Sequence, residues 1–222
     1  HESTLHHVFN GGWFWVIPFD NHKESGNPIC SVGLLLNRNV YPKARGTPKE
    51  EFYHFVNQFP SVKKQLQLAT PVREWVRSER LQYSSESVTG HRFCLSANSA
   101  GFVDPLFSSG LGLTISMTDL MADKILTAFR TNDFDITNFK SIENFFNQSL
   151  RHYDEVISRA YESFSDYNLW DSWFRVWVTG NFLGTVSNID LYFNYLSGRK
   201  NLSETQSFRY NNVLGMQIKE QR

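Results

Sequence analysis

The segment GGWFWVIPF, residues 11–19, constrains the fold most strongly. Trp13 and Trp15 are two apart, so in an extended chain they share one face while Phe14 takes the other. Val16 and Ile17 prolong the strand, and Pro18, without a ladder N–H, ends it or moves it to an edge. Residues 4–9, TLHHVF, form a strand running into a turn at Gly11-Gly12. After a polar, Gly- and Pro-punctuated loop over residues 20–28, the run ICSVGLLLN at 29–37 is apolar throughout and of strand length. The first forty or so residues therefore read as an antiparallel meander.

Helices follow. Thr47-Pro48-Lys49-Glu50 combines a hydroxyl N-cap, a proline at the first helical position and a glutamate three residues after the cap. This predicts a helix to about Phe59, with Pro60-Ser61 opening a short second one through Leu68. Residues 72–88 carry Trp75, Val76, Leu81, Tyr83 and Val88 without helical regularity and read as strands. HRFCLSA, residues 91–97, reads as another buried strand. The apolar positions Leu113, Ile115, Met117, Leu120, Met121, Ile125 and Leu126 predict an amphipathic helix over 113–129. A long amphipathic helix is expected over 138–164, capped by Thr137 or Asp135, with aromatic helices beyond it. The organisation expected is α+β: a sheet-rich part over 1–112, a helical part over 113–198 and a polar tail over 199–222.

Composition removes several function classes. With 22 basic and 22 acidic residues in 222, the chain has no formal net charge, which argues against neutralising a phosphate backbone or an anionic membrane surface. Cys30 and Cys94 are isolated from each other and from histidine, so no disulfide framework or metal site is expected. Two free thiols fit a reducing, cytoplasmic compartment. The best apolar run is interrupted by Asp119, Asp123 and Lys124, so no membrane span is expected.

The segment HRFCLSANSAGFVDPLFSSGLGLTISM, residues 91–117, reads as strand, turn, small-residue loop and helix. Ala97, Ser99, Ala100 and Gly101 let a ligand approach the backbone. Asp104-Pro105 is a stiff turn, and Ser108-Ser109-Gly110 brings free backbone N–H groups to a helix start, where a partial positive charge favours an anion or an electron-rich ring.

Together, the two segments resemble the flavin-dependent halogenases, FAD oxidoreductases with a hydroxylase-like fold. The family's G-W-x-W-x-I-P motif is matched by Gly12, Trp13, Trp15, Ile17 and Pro18. Its later flavin motif is matched by Asn98, Ala100, Gly101, Phe102, Asp104, Pro105, Ser108, Ser109 and Gly110, in the same order. The resemblance implies that Trp13 and Trp15 wall a tunnel beside the flavin, keeping substrate from it so that hypohalous acid forms. It assigns FAD contacts to Asn98, Gly101, Asp104, Pro105, Gly110, Leu111 and Gly112, and a chloride or bromide site to Ser109 and Gly110. The activity implied is chlorination or bromination of an electron-rich aromatic in secondary metabolism. Reduced flavin would come from a separate flavin reductase, and the substrate would be free or tethered to a carrier protein.

This sequence departs from the family in three ways. No G-x-G-x-x-G follows a strand, and the family's catalytic lysine lies upstream of G-W-x-W-x-I-P; Lys23 lies downstream, in a loop. Both absences read the chain as a C-terminal portion lacking the dinucleotide-binding half, and inactive alone. Phe107 stands where tryptophan-specific members carry glutamate, which leans the substrate toward phenols, pyrroles or carrier-tethered rings. Ala97 replaces a glycine, and its methyl would crowd the cofactor; Ser99 replaces an alanine. Two alternatives stand beside this reading: a flavin monooxygenase or dehydrogenase of the same fold without halide chemistry, and a flavin-free partner of a carrier protein. The second is motivated by the aromatic helices over 167–196.

Overall fold

The computed structural model describes residues 3–20, 22–42 and 46–198, without the side chains of 183–192, 195 and 196. The expected tail over 199–222 lies outside the described residues. The fold is α+β, and its contacts divide it into two compact units. One holds the residues up to Glu79 together with Tyr161–Trp170; the other holds Arg80–Ala160 together with those from Asp171 onward.

In the first unit, strands β1 (Leu5–Phe9), β2 (Gly12–Pro18) and β3 (Cys30–Leu36) form an antiparallel sheet in the order β1-β2-β3. Phe9 pairs with Gly12, so Asn10-Gly11 makes the turn, one residue earlier than expected; Gly11 takes a positive φ of 79°. Pro18 is the last residue of the central strand, opposite Cys30, where its missing donor costs least.

The two faces of β2 separate as its alternation dictates. Phe14 is fully buried and packs beneath helices α1 (Pro48–Val56) and α2 (Pro60–Gln65) in a cluster with Phe52, Phe55, Val56 and Val62. Its ring meets Phe52 edge-on at 5.7 Å. The capping box is complete: Thr47 accepts from the Glu50 N–H, and the Glu50 carboxylate accepts from the Thr47 N–H. Both helices stop short of their expected ends, and Leu68 is exposed.

Residues 72–82 are not strands. Side chains anchor this segment instead: Trp75 packs on Phe52 and Tyr53 of α1, with ring centroids 5.0 and 5.6 Å away. Arg77 reaches Glu51 at 3.1 Å, and Arg38 meets the same buried carboxylate at 3.3 Å. Val72 and Val76 remain exposed. The apolar residues here serve two anchor points, so no alternating face develops.

The second unit opens with short pairings. Strand β4 (Tyr83–Ser84) pairs with β7 (Gly101–Phe102), and β5 (Thr89–Gly90) with β6 (Phe93–Cys94). The expected buried strand over 91–97 shrinks to β6, because His91-Arg92 turns the chain, with Arg92 at φ 65°. Phe93 is exposed. One helical turn, α3 (Ala97–Ala100), precedes β7, and α4 (Ser109–Thr131) packs on α5 (Lys140–Ser163). Their core joins Val88, Ala97, Ala100, Leu113, Met117, Leu120, Ile142, Phe145 and Phe146. On α4, Ile115, Ile125 and Leu126 are exposed, so its apolar face is narrower than expected. The two aromatic segments at the end are one helix, α6 (Tyr167–Leu196).

Candidate functional site

In the first unit, Trp13 and Trp15 lie on the same face of β2 with ring centroids 5.8 Å apart. Their environments differ. Trp13 is 1% exposed, and its Nε1–H donates to the Tyr161 hydroxyl at 2.9 Å. The His6 ring sits 4.8 Å from it. Trp15 is half-buried and donates from Nε1 to Ser31 Oγ at 3.2 Å. Its indole lies over Gly33, its register partner, where a Cβ would come within 1.9 Å of the ring. Partial burial, with the charge of His7 as a second cause, holds the His6 imidazole below its ordinary pKa.

In the second unit, the loop from Asn98 to Gly110 folds into a cleft. Asn98, Gly101, Asp104, Ser109 and Gly110 line it, with Phe102, Val103 and Leu113 beside them. Leu150 and Tyr153 of α5 are also among its lining. The cleft is small and partly open to solvent. Asp104 is buried, and its carboxylate accepts from the Leu106 N–H at 2.8 Å, fixing the turn before Pro105. The Tyr83 hydroxyl donates to the Asn98 carbonyl, tying down the other end of the loop.

Helix α4 begins four residues earlier than its apolar pattern indicated, at Ser109. Ser108 precedes it in the left-handed region, φ 54° and ψ 27°, and makes no side-chain cap bond. The first N–H groups of the helix, which have no intrahelical acceptor, therefore start at the cleft without a side-chain cap. The glycines here do different work. A Cβ on Gly101 would come within 2.8 Å of the Tyr83 carbonyl, so this glycine permits the β4–β7 pairing. A Cβ on Gly110 would meet only Asn98 Oδ1 at 3.7 Å, and one on Gly112 would meet nothing within 4 Å. Packing does not require those two glycines; at Gly110 the missing side chain leaves the cleft open.

Six residues of the flavin motif, Asn98, Gly101, Phe102, Asp104, Ser109 and Gly110, thus come together, while others do not. Pro105 shapes the turn but does not line the cleft, and Leu111 and Gly112 face solvent. Phe107 is stacked on Trp177 and Trp173 of α6, with centroids 4.3 and 5.3 Å away. The Ala97 methyl does not crowd the cleft. It is wholly buried in the hydrophobic core and absent from the lining.

Sequence reasoning missed Leu150 and Tyr153, which had read only as positions on an amphipathic helix. Their periodicity showed an inward face, and only the α4–α5 packing shows that this face reaches the cleft. Burial pushes the Tyr153 phenol above its ordinary pKa. Among the described residues no group of three His, Cys, Asp or Glu side chains converges to hold a metal. No helix among them is long and apolar enough to cross a membrane.

The chain matches no family model. It is 43% identical over 199 residues to the monodechloroaminopyrrolnitrin halogenase PrnC of Pseudomonas fluorescens, covering 90% of this chain and 35% of that enzyme. It is 42% identical over 184 residues to the tetracycline 7-halogenase of Kitasatospora aureofaciens, covering 82% of this chain and 33% of that enzyme. The crystal structure of halogenase PltM in complex with phloroglucinol and FAD superposes with a TM-score of 0.85 at 35% identity, covering 94% of this chain and 41% of that one. The chain is similar to part of the flavin-dependent halogenases and spans about a third of the length of the curated relatives it matches.

Proposed function

We propose that this chain is the C-terminal, substrate- and flavin-facing portion of an FADH2-dependent halogenase that chlorinates or brominates an electron-rich aromatic ring. The observation that carries this reading is the cleft: the residues of the second motif converge around an uncapped helix start, in a chain homologous to halogenases along most of its length.

The donor set fits one edge of a flavin. Backbone N–H groups at Ser109 and Gly110 present partial positive charge to an anionic ring edge or a halide, and Asn98 offers an amide beside them. Gly110 leaves room for a flat ring to lie close to the backbone. Reduced flavin, delivered by a separate reductase, supplies the chemistry that turns oxygen and halide into hypohalous acid. On the protein side, Trp15 offers the open aromatic wall and Trp13 the closed backing behind it. The resemblance assigns these rings to walls that would exclude water and hold substrate away from the flavin.

The names of the relatives fit both small free substrates and a carrier-tethered ring, since a relative 27% identical over 149 residues is named a 1H-pyrrole-2-carbonyl-[peptidyl-carrier protein] chlorinase. PrnC and the tetracycline enzyme are named for small molecules, and PltM holds phloroglucinol. Phe107 supplies no carboxylate where tryptophan-specific members carry glutamate, and its ring is stacked on Trp173 and Trp177. The same stack accounts for two aromatic side chains that had suggested carrier-protein capture.

The first test is the visible absorption spectrum, with and without FAD, of the protein carrying all the flanking sequence its gene supplies, followed by product analysis with and without bromide. A retained flavin band and a brominated product are expected of that protein, and neither of the present chain alone. A product formed at the same rate without halide would move the assignment to a monooxygenase. In Trp13→Ala, halogenated product per reduced flavin consumed is expected to fall, and an unchanged ratio would remove the wall role.

A further inference from the structure

The two tryptophans are held in different ways. Trp15 rests on Gly33 and bonds Ser31, both on the neighbouring strand. Trp13 depends on a residue 148 positions away: its buried Nε1–H donates to the Tyr161 hydroxyl at 2.9 Å. Tyr161 is in turn held in place. Its ring lies 5.0 Å from that of buried Phe164, which meets Trp170 edge-on at 5.1 Å. The segment Tyr161–Trp170 belongs to the same compact unit as β2, so this chain of contacts lies within one body.

We infer that Tyr161 is a positioning residue for halogenation: its hydroxyl fixes the plane of the Trp13 indole, and Trp13 in turn backs Trp15. The inference rests on the halogenase reading above. The indole has two-fold freedom about its last side-chain torsion, and packing alone does not distinguish the two edges as sharply as a directional bond does. A buried N–H without an acceptor is costly, so removing the hydroxyl leaves the indole a reason to turn toward any other acceptor or toward water. A turned Trp13 changes its tilted contact with Trp15, whose ring centroid lies 5.8 Å away, and the wall the two rings make is disturbed. The His6 ring against Trp13 gives packing but takes no part in this bond.

The test is Tyr161→Phe in the protein with all the flanking sequence its gene supplies, read in two ways. Ultraviolet resonance Raman reports hydrogen bonding at indole N–H, and one tryptophan is expected to lose that signature. Halogenated product per reduced flavin is expected to fall about fivefold, the equivalent of one lost buried hydrogen bond, while hypohalous acid trapped by a scavenger rises. In a Trp13→Phe background, Tyr161→Phe is expected to add nothing further, because it acts through the indole. An unchanged Raman signature, an unchanged product ratio, or full additivity of the two variants each overturns the proposal. If Tyr161→Phe does not fold, fluorotyrosine incorporation keeps the ring and weakens the hydroxyl as an acceptor; the same indole band must then shift. A wild type that makes no halogenated product would instead sink the parent reading, while the Raman arm still decides the bond.

Discussion

Gly33 shows how a single residue sets the site. The Trp15 indole occupies the space where a side chain on Gly33 would stand, with a Cβ brought to 1.9 Å of its ring. Gly33→Ala is therefore expected to displace the indole and to cost about 1–3 kcal/mol by overpacking, measured by urea unfolding. Tryptophan emission should shift to the red in the same variant. The histidines make a second residue-scale prediction. Burial lowers the pKa of His6 and of His152, with the His7 charge adding to the first and Glu155 partly opposing the second. Both imidazoles take up a proton less readily in the fold than in the unfolded chain, so as pH falls below about 6.5 the unfolded chain is protonated first and stability is lost. The unfolding free energy is expected to be flat above about pH 7.5 and to fall modestly below 6.5, because both side chains are partly open to solvent. His6→Asn should reduce that slope; an unchanged slope would remove His6 from the explanation.

At the scale of elements, local sequence chemistry was most legible where it acts over a few residues. The capping box of α1 stands as read, with Glu50 accepting from the Thr47 N–H at 2.7 Å. Hydrogen bonds from the Thr47 backbone and hydroxyl hold the Glu50 carboxyl below its ordinary pKa. Thr47→Ala is expected to cost about 1 kcal/mol of unfolding free energy, and restoring Ser at that position should recover most of it. The strand GWFWVIP was equally legible, because a period of two forces its rings onto opposite faces. Residues 72–82 were not, since their order comes from Trp75 on α1 and Arg77 on Glu51, contacts that no local pattern announces. The start of α4 was missed for a related reason. Ser109 to Gly112 belong to the helix but carry no apolar period, and the left-handed Ser108 that starts it is set by the loop it closes.

At the scale of the whole molecule, the cleft joins a loop and helix start with two residues of α5, about forty positions further along the chain. Gly110 permits a test, because a Cβ there meets only Asn98 Oδ1, at 3.7 Å. Saturating FAD, at about a hundred times its dissociation constant, is expected to raise the unfolding free energy of the flavin-competent protein by about 2.7 kcal/mol. In Gly110→Val most of that increment should disappear while the ligand-free melting temperature stays within a few degrees. A variant stabilised by FAD as strongly as the wild type would show that the cleft does not face the cofactor.

The sequence alone determined the α+β class, the faces of β2, the cap of α1 and the two motifs that mark a halogenase. Each of these depends on residue spacing within a few turns or on a string of adjacent residues. The tertiary structure alone decided that Tyr161 meets Trp13, that Tyr153 reaches the cleft, that Ala97 points into the core and that Phe107 is taken up by α6. These contacts join positions far apart in the chain. Periodicity can say that a face turns inward, but what that face meets depends on how whole elements pack.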